Sequence, residues 1–207
     1  NDQQNYWQAS GPEGATSGWG GRIADLLQSG NGNAALTCIN VNGNAIFLTG
    51  KSAIQYSISP SGPIGLNART SLQGSASAAT LLQSLIGGKV TGNHLFEAAY
   101  GNVGGRALDL YNIVTSALAA APTTSTVFPA AADPQSTLGA QLKAVAKQIS
   151  VSQQLGVKRQ IFFVSTSRFD THDGLDTLHP LLLTNLADAM RAFYDTTVEL
   201  GVSSQVT

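Results

Sequence analysis

The sequence predicts an α/β fold with a mainly parallel sheet covered by helices, and three observations carry that prediction. Ile161–Val164 is a continuous apolar, β-rich run bounded by Lys158–Arg159 on one side and Ser165–Thr166–Ser167 on the other. A strand apolar on both faces belongs inside a covered, mostly parallel sheet. Helix-period spacing follows it, and Val202–Thr207 then reads as the start of another strand, giving a βαβ unit. Upstream, short β-rich runs alternate with amphipathic stretches in a 207-residue chain that is 43% hydrophobic. That length and composition fit one globular core, so residues 1–207 are expected to form a single α/β domain.

Taken in order, residues 1–18 form a polar surface segment whose large apolar residues, Tyr6 and Trp7, are expected to dock it onto the body. Trp19–Gln28 is a short amphipathic helix ended by Gly30, and Arg22 within it reads as a structural arginine. Ala35–Val41 alternates as a strand. Asn42–Gly43 is a strong tight-turn signal and Ala45–Leu48 the expected returning strand, so an antiparallel hairpin is predicted near residues 35–48. Ala53–Ile58 is a third alternating run, closed by Pro60, Gly62, Pro63 and Gly65.

Leu72–Ile86 reads as a weakly amphipathic helix. A second helix covers Asn93–Tyr100, is expected to break at Gly101, Gly104 and Gly105, and resumes over Arg106–Ala121. His94 and Glu97 share a face there, a spacing that suits either a weak metal pair or a solvated helix start. Residues 122–134, rich in Ser, Thr, Pro and Ala, form a surface loop or linker. The next helix buries Leu138, Leu142, Val145 and Ile149 and ends at Gly156. After the Ile161–Val164 strand, Leu183, Leu186, Met190, Phe193 and Leu200, widened by Leu182 and Ala189, predict the covering face of the last helix. Thr177 caps it, Pro180 sits in its first turn and Gly201 closes it.

Composition narrows the function classes. Charged residues are 11% of the chain, against roughly 25% in average soluble domains, and the net charge is −1. Nothing electrostatic favours nucleic acid or an anionic membrane. The surface must instead be built from Ser, Thr, Asn, Gln and Gly, a composition more often seen outside cells, with cell-surface or secreted proteins as the expected partners. Cys38 stands alone, so neither a disulfide framework nor a cysteine metal site is available. No run reaches the roughly 18–20 apolar residues of a membrane helix. The chain begins at Asn1 and its last strand barely starts, so a processed product or a piece of a longer polypeptide is expected.

The chemistry concentrates between the last strand and the last helix, in Arg168, Phe169, Asp170, Thr171, His172, Asp173, Asp176 and His179. Open α/β sheets place ligands at this carboxyl end of a strand. Carboxylate oxygens and imidazole nitrogens suit a divalent metal (zinc, manganese or calcium), so Asp170, His172, Asp173 and His179 are the candidate ligands. Arg168 is a candidate clamp for an anionic oxygen. The competing reading of the same residues is structural: an Asx-turn at Asp170, a helix cap at Asp176 or Thr177, and solvated histidines. No catalytic nucleophile stands out, and neither a Walker loop nor a nucleophile elbow is present.

Three blocks of this chain resemble a known family. They are Gln4-Asn5-Tyr6-Trp7 with Gly18-Trp19-Gly20-Gly21-Arg22, then Ser136-Thr137-Leu138 with Gln141-Leu142 and Val145-Ala146, then Phe169-Asp170-Thr171-His172 with the Ala192-Phe193-Tyr194-Asp195 helix end. Their order and content resemble the bacterial family called domain of unknown function 1501. The resemblance implies export by a twin-arginine signal to the periplasm or beyond. It also implies an alkaline-phosphatase-like α/β/α fold shared with sulfatases. The function it suggests is metal-dependent hydrolysis of a phosphate or sulfate ester. The alternative is a non-catalytic cell-surface or extracellular scaffold that keeps the fold. This chain departs from the family's Gly-Gly before Phe-Asp-Thr-His, carrying Ser167–Arg168 instead. It also carries Asp173-Gly174-Leu175-Asp176 where the family has Gln or Asn-Gln.

Overall fold

Cys38–Val41 (β1) is the centre of the sheet in the computed structural model, which describes residues 2–11, 14–41, 43–67, 69–87 and 95–207. It is buried along its whole length. Gln55–Ser59 (β2) pairs with it in parallel, Cys38 opposite Gln55 and Val41 opposite Ile58. Ile161–Phe163 (β4) pairs in parallel on its other side, Cys38 opposite Ile161. Gly62–Pro63 (β3) completes the order β3-β2-β1-β4 and, after a two-residue turn, runs antiparallel to β2. The class is therefore α/β with a mixed, mostly parallel sheet.

Two expectations about this sheet are corrected. The returning strand of a hairpin near residues 35–48 does not form: Ile46–Leu48 is a 3-10 turn, and β1 takes both partners in parallel from elsewhere. Asn42 lies outside the described residues. The strand over Ile161–Phe163 is not interior either. It occupies an edge of the described sheet and is half-buried. Phe162 packs toward Val145 and Phe193 on one face, and Ile161 and Phe163 pack toward Leu48 and Phe47 on the other, which accounts for its apolar run, but no strand lies beyond it among the described residues.

The chain divides into two compact units, Asn1–Gly62 with Ala120–Thr207, and Pro63–Ala119. In the first, Asp2–Ala9 (α1) and Trp19–Leu27 (α2) precede β1. One sheet face packs Cys38 with Ala24, Leu48 and Ala53, rimmed by Phe47, Ile161 and Phe163. The other packs Ile39 and Val41 with Ile58 and Val145, joined by Phe162 and Phe193. Alternation along β1 thus feeds two separate cores. Asn40 is tolerated in this buried strand because its side-chain amide donates to Gln55 Oε1 at 3.0 Å. The helix α2 lies very close to the segment after β1: a Cβ on Gly21 would sit 2.1 Å from the Thr49 carbonyl carbon. Only glycine permits that approach.

The aromatic anchors expected in residues 1–18 are corrected as well. Tyr6 and Trp7 are both largely exposed on α1, whose buried contact is Ala9. Gln8 supplies the tie, its Oε1 accepting the Phe47 amide at 3.1 Å. Arg22 donates to the Ala9 carbonyl at 2.8 Å, the structural role its position suggested.

Leu138–Ser150 (α5) and Leu175–Glu199 (α6) pack together. The last helix buries Leu182, Asn185, Ala189, Ala192 and Thr196, a stripe rotated from the expected one; Leu183 and Met190 are exposed. Polar members hid this face from the hydropathy pattern. Thr196 Oγ1 donates to Ala192 O at 2.7 Å, and Asn185 Oδ1 accepts the Ala132 amide at 2.6 Å, so burial leaves these oxygens bonded. Gly174 precedes α6 in a left-handed conformation and Thr177 lies inside the first turn, its hydroxyl donating to Gly174 O. Beyond α6, the strand expected from Val202 is instead a 3-10 turn at Ser203–Gln205.

In the second unit, Ala76–Gly87 (α3) packs on Leu95–Ala119 (α4). The latter is one continuous helix, and the expected break at Gly101, Gly104 and Gly105 does not occur. Gly104 serves packing: a Cβ there would meet the Ile86 carbonyl oxygen at 2.5 Å. Arg69 stacks on the Tyr111 ring at 4.0 Å and donates to Asn112. His94 lies outside the described residues. Among those described, no helix is long and apolar enough to cross a membrane.

Two carboxylates clip loops to helices. Asp25 accepts the amides of Lys51, Ser52 and Ala53 at 2.7–2.9 Å. Glu199 accepts those of Ser125 and Thr126, anchoring the 122–134 loop. The Ala53 amide, then those of Ser52 and Lys51, hold the Asp25 carboxyl far below its usual range. The Ser125 amide does most to bring Glu199 down from 4.5 to about 2. Both folded values lie below the unfolded ones, so their stabilisation is complete above the ordinary carboxylate range and is lost as pH falls from there through the lower folded values. Urea midpoints followed from pH 6 to pH 2.5 are expected to fall less steeply for Glu199→Gln than for the parent chain. Identical slopes would remove Glu199 from the acid response.

Candidate functional site

The loop that leaves β4 is held from behind by α5. Gln141, fully buried, accepts the Ser165 amide at 3.0 Å and donates to the Ser165 carbonyl at 2.8 Å, fixing the chain as it exits the strand. Arg168 follows in a left-handed conformation, φ 75°. This is an uncommon backbone state for a side-chain-bearing residue. What holds it there is Asp133, 5% exposed, whose two oxygens accept from Arg168 Nη1 at 2.6 and 2.7 Å. Asp133 Oδ1 also accepts the Gln135 amide, and Asn185 Oδ1 accepts the Asp133 amide. The guanidinium proposed from the sequence as an anion clamp is thus engaged by a carboxylate of its own chain.

Past Arg168 the loop opens outward. Phe169 sets its ring edge-on to His179, centroids 6.0 Å apart. Asp170 and His172 come together, His172 Nε2 lying 3.5 Å from Asp170 Oδ2, with side chains 88% and 92% exposed for His172 and Asp170 respectively. That separation is an ion-pair distance, looser than a hydrogen bond. Asp173 and Asp176 are exposed and His179 is half-buried.

The donor set can be tested against the metals it would have to hold. Zinc needs three or four nitrogen, oxygen or sulfur ligands, and calcium six to eight oxygens. Asp170 and His172 supply two donors. Among the described residues, no group of three or more His, Cys, Asp or Glu side chains is placed to hold a metal ion. His179 faces Phe169, and Asp173 joins no ion pair among the described residues. Asp170, His172 and Asp173 share the loop and His179 lies in the first turns of α6, but the pair Asp170–His172 is what the geometry brings together. Two donors do not make a complete site.

The sequence assigns neither Asp133 nor Gln141 a role at this loop. They lie 35 and 24 positions from their loop partners, so no local spacing signals them. Cys38 is buried, and burial pushes its thiol up to about 11, which makes it inert. Compared with protein-family models, with curated proteins and with solved structures, the chain matches none.

Proposed function

We propose that this chain is a non-catalytic binding or assembly module of an exported protein, working in the periplasm or outside the cell among protein partners. One observation carries the reading. At the strand end where an α/β enzyme would gather its catalytic groups, Arg168 is consumed by Asp133, and the acid–imidazole pair beyond it stands open to water. Electrostatic catalysis depends on preorganised groups in a site that excludes water. The sparse charge and amide- and hydroxyl-rich composition accord with work at an extracellular surface. An alkaline-phosphatase-like scaffold is the finer fold proposal that the resemblance to domain of unknown function 1501 supports.

A second reading, metal-dependent hydrolysis of a phosphate or sulfate ester, draws on one specific observation, the approach of His172 to Asp170 at the carboxyl end of a parallel strand. It requires further ligands to join them. Calorimetric titration with zinc, manganese and calcium separates the two readings. A binding module is expected to take up no metal stoichiometrically below millimolar concentration, and Asp170→Asn to change nothing. Stoichiometric uptake that Asp170→Asn and His172→Ala both abolish, together with hydrolysis of a phosphate or sulfate ester, would replace the module reading with the hydrolase.

A further inference from the structure

We infer that a cavity enclosed by the 122–134 loop, α5 and α6 binds a small zwitterion, an amino acid. Its carboxylate is taken by Asn185, Lys143 and the start of α5, and its ammonium by Asp188. The cavity measures about 300 Å³, and neither Asp170 nor His172 lines it. It is therefore a site beyond the proposed function, and it stands whichever reading of the Asp170–His172 loop holds.

Asn185, a wall residue of this cavity, is 6% exposed. Its Oδ1 accepts the Ala132 amide at 2.6 Å and the Asp133 amide at 3.3 Å. Those two donors fix which way the side-chain amide is turned, so the atom left over is the nitrogen. Asn185 Nδ2 is buried and has no hydrogen-bond partner among the described residues. A donor buried in that state is costly, and an acceptor brought by a ligand relieves it.

The start of α5 supplies donors of the same kind. The first intrahelical bond runs from the Gln141 amide to Thr137 O at 3.0 Å, so the amides of Leu138, Gly139 and Ala140 lie ahead of the ladder. Thr137 does not cap them; its Oγ1 instead accepts from Gln141 Nε2 at 2.9 Å. Gly139 and Ala140 both line the cavity. An uncapped helix start favours an anion, and Lys143, one turn further along the same wall, adds a full positive charge.

A bare anion does not satisfy the whole wall. Asp188 lines the cavity as Lys143 does, yet neither joins an ion pair among the described residues. Their charges cancel, so a phosphate dianion would meet a carboxylate with one cation to offset it. A molecule carrying both a carboxylate and an ammonium answers each group and enters without net charge. Size narrows the class, because 300 Å³ is the lower end of the range for ligand pockets. The remaining wall, residues 128–131, is Phe-Pro-Ala-Ala and suits a short apolar side chain. That wall is tethered at both ends, to Glu199 through Ser125 and Thr126 and to Asn185 through Ala132, so the cavity is formed in advance of its ligand.

Calorimetric titration of the whole chain with L-alanine, L-leucine and 4-aminobutyrate, which differ in size and charge spacing, tests the site. Saturable one-to-one binding of at least one is expected, with a Kd of about 1 mM or tighter. N-acetylating the bound compound removes its ammonium and amidating it removes its carboxylate; each should weaken binding about tenfold. Lys143→Gln and Asp188→Asn, changes at exposed side chains, should each weaken it by about the same factor. Asp188→Asn should also abolish the preference for the free over the acetylated amine. In nuclear magnetic resonance spectra the Asn185 side-chain NH2 signals should shift as the ligand is added. No saturable binding of any of the three compounds up to about 10 mM would overturn the inference. So would tighter binding of inorganic phosphate, unmoved Asn185 NH2 signals, or binding indifferent to Lys143→Gln or to Asp188→Asn.

Discussion

Ile39→Ala is expected to lower unfolding stability by about 3–4 kcal/mol, the range for large-to-small changes at a closed core position. Ile39 is fully buried in the middle of β1, packed with Val41, Ile58 and Val145 under α5. Strands on both sides and helix above leave little room for the cavity to collapse. Phe162→Ala is the informative contrast. The ring is larger, yet it is half-buried on the edge strand, so its loss should cost about 1–2 kcal/mol on an area basis. Urea denaturation with matched m-values measures both. If Phe162→Ala proved the more damaging, β4 and not β1 would be the strand on which the core depends.

Breaking the Arg168–Asp133 pair is expected to have the second largest effect. Asp133 is nearly inaccessible, and among the described residues its carboxylate keeps only the Gln135 amide once the guanidinium is gone. Removing one partner of a buried pair costs about 3–5 kcal/mol. Arg168 is itself 36% exposed, so water reaches the pair and about 2–3 kcal/mol is the better expectation for Arg168→Leu. Two companions distinguish the cause. Arg168→Gly loses the same ion pair but relaxes the left-handed backbone, so it should retain about 1 kcal/mol more than Arg168→Leu. Arg168→Leu combined with Asp133→Asn should recover part of the loss, because the buried group is then neutral. Equal stability of the leucine and glycine variants would mean that the backbone stores no strain there.

Local pattern reaches a good part of this fold. The helix α2 and the helix α5 follow from apolar residues at helical spacing, β2 from alternation, and the 122–134 segment from its composition. Sheet order does not follow, because hydrophobicity reports burial of faces and says nothing of what lies along an edge. Ile161–Phe163 is apolar on both faces and yet ends the described sheet, while Cys38–Val41, with Asn40 in its middle, is the strand everything surrounds. Asn40 is accommodated there by a side-chain hydrogen bond to Gln55, invisible to hydropathy. The same holds for α6, whose buried Asn185 and Thr196 read as surface residues until their partners are known.

At the candidate site the division is similar. That Asp170 and His172 lie close is legible, since only Thr171 separates them on one loop. That Arg168 is already paired is not, because Asp133 belongs to the segment before α5 and meets the loop only in the folded chain. Residue types announce which chemistry is available. Long-range contacts determine which of those groups remain free to perform it.

The parallel pairing of β1 with both β2 and β4 also dictates an order of assembly. Joining Cys38 to Gln55 closes a loop of roughly 17 residues, and joining it to Ile161 closes one of roughly 120. By the logarithmic growth of closure entropy, the second step costs about 2 kcal/mol more chain freedom than the first. Contacts so distant in sequence slow folding, because the entropy is lost before their energy is gained. During synthesis β1 and β2 leave the ribosome together, and the intervening residues follow for seconds at typical elongation rates before β4 appears. For that interval the central strand, destined to be the most enclosed part of the molecule, has one flank open to water and to other chains. The nascent polypeptide is therefore most exposed to misassembly at the very strand that the finished fold protects best.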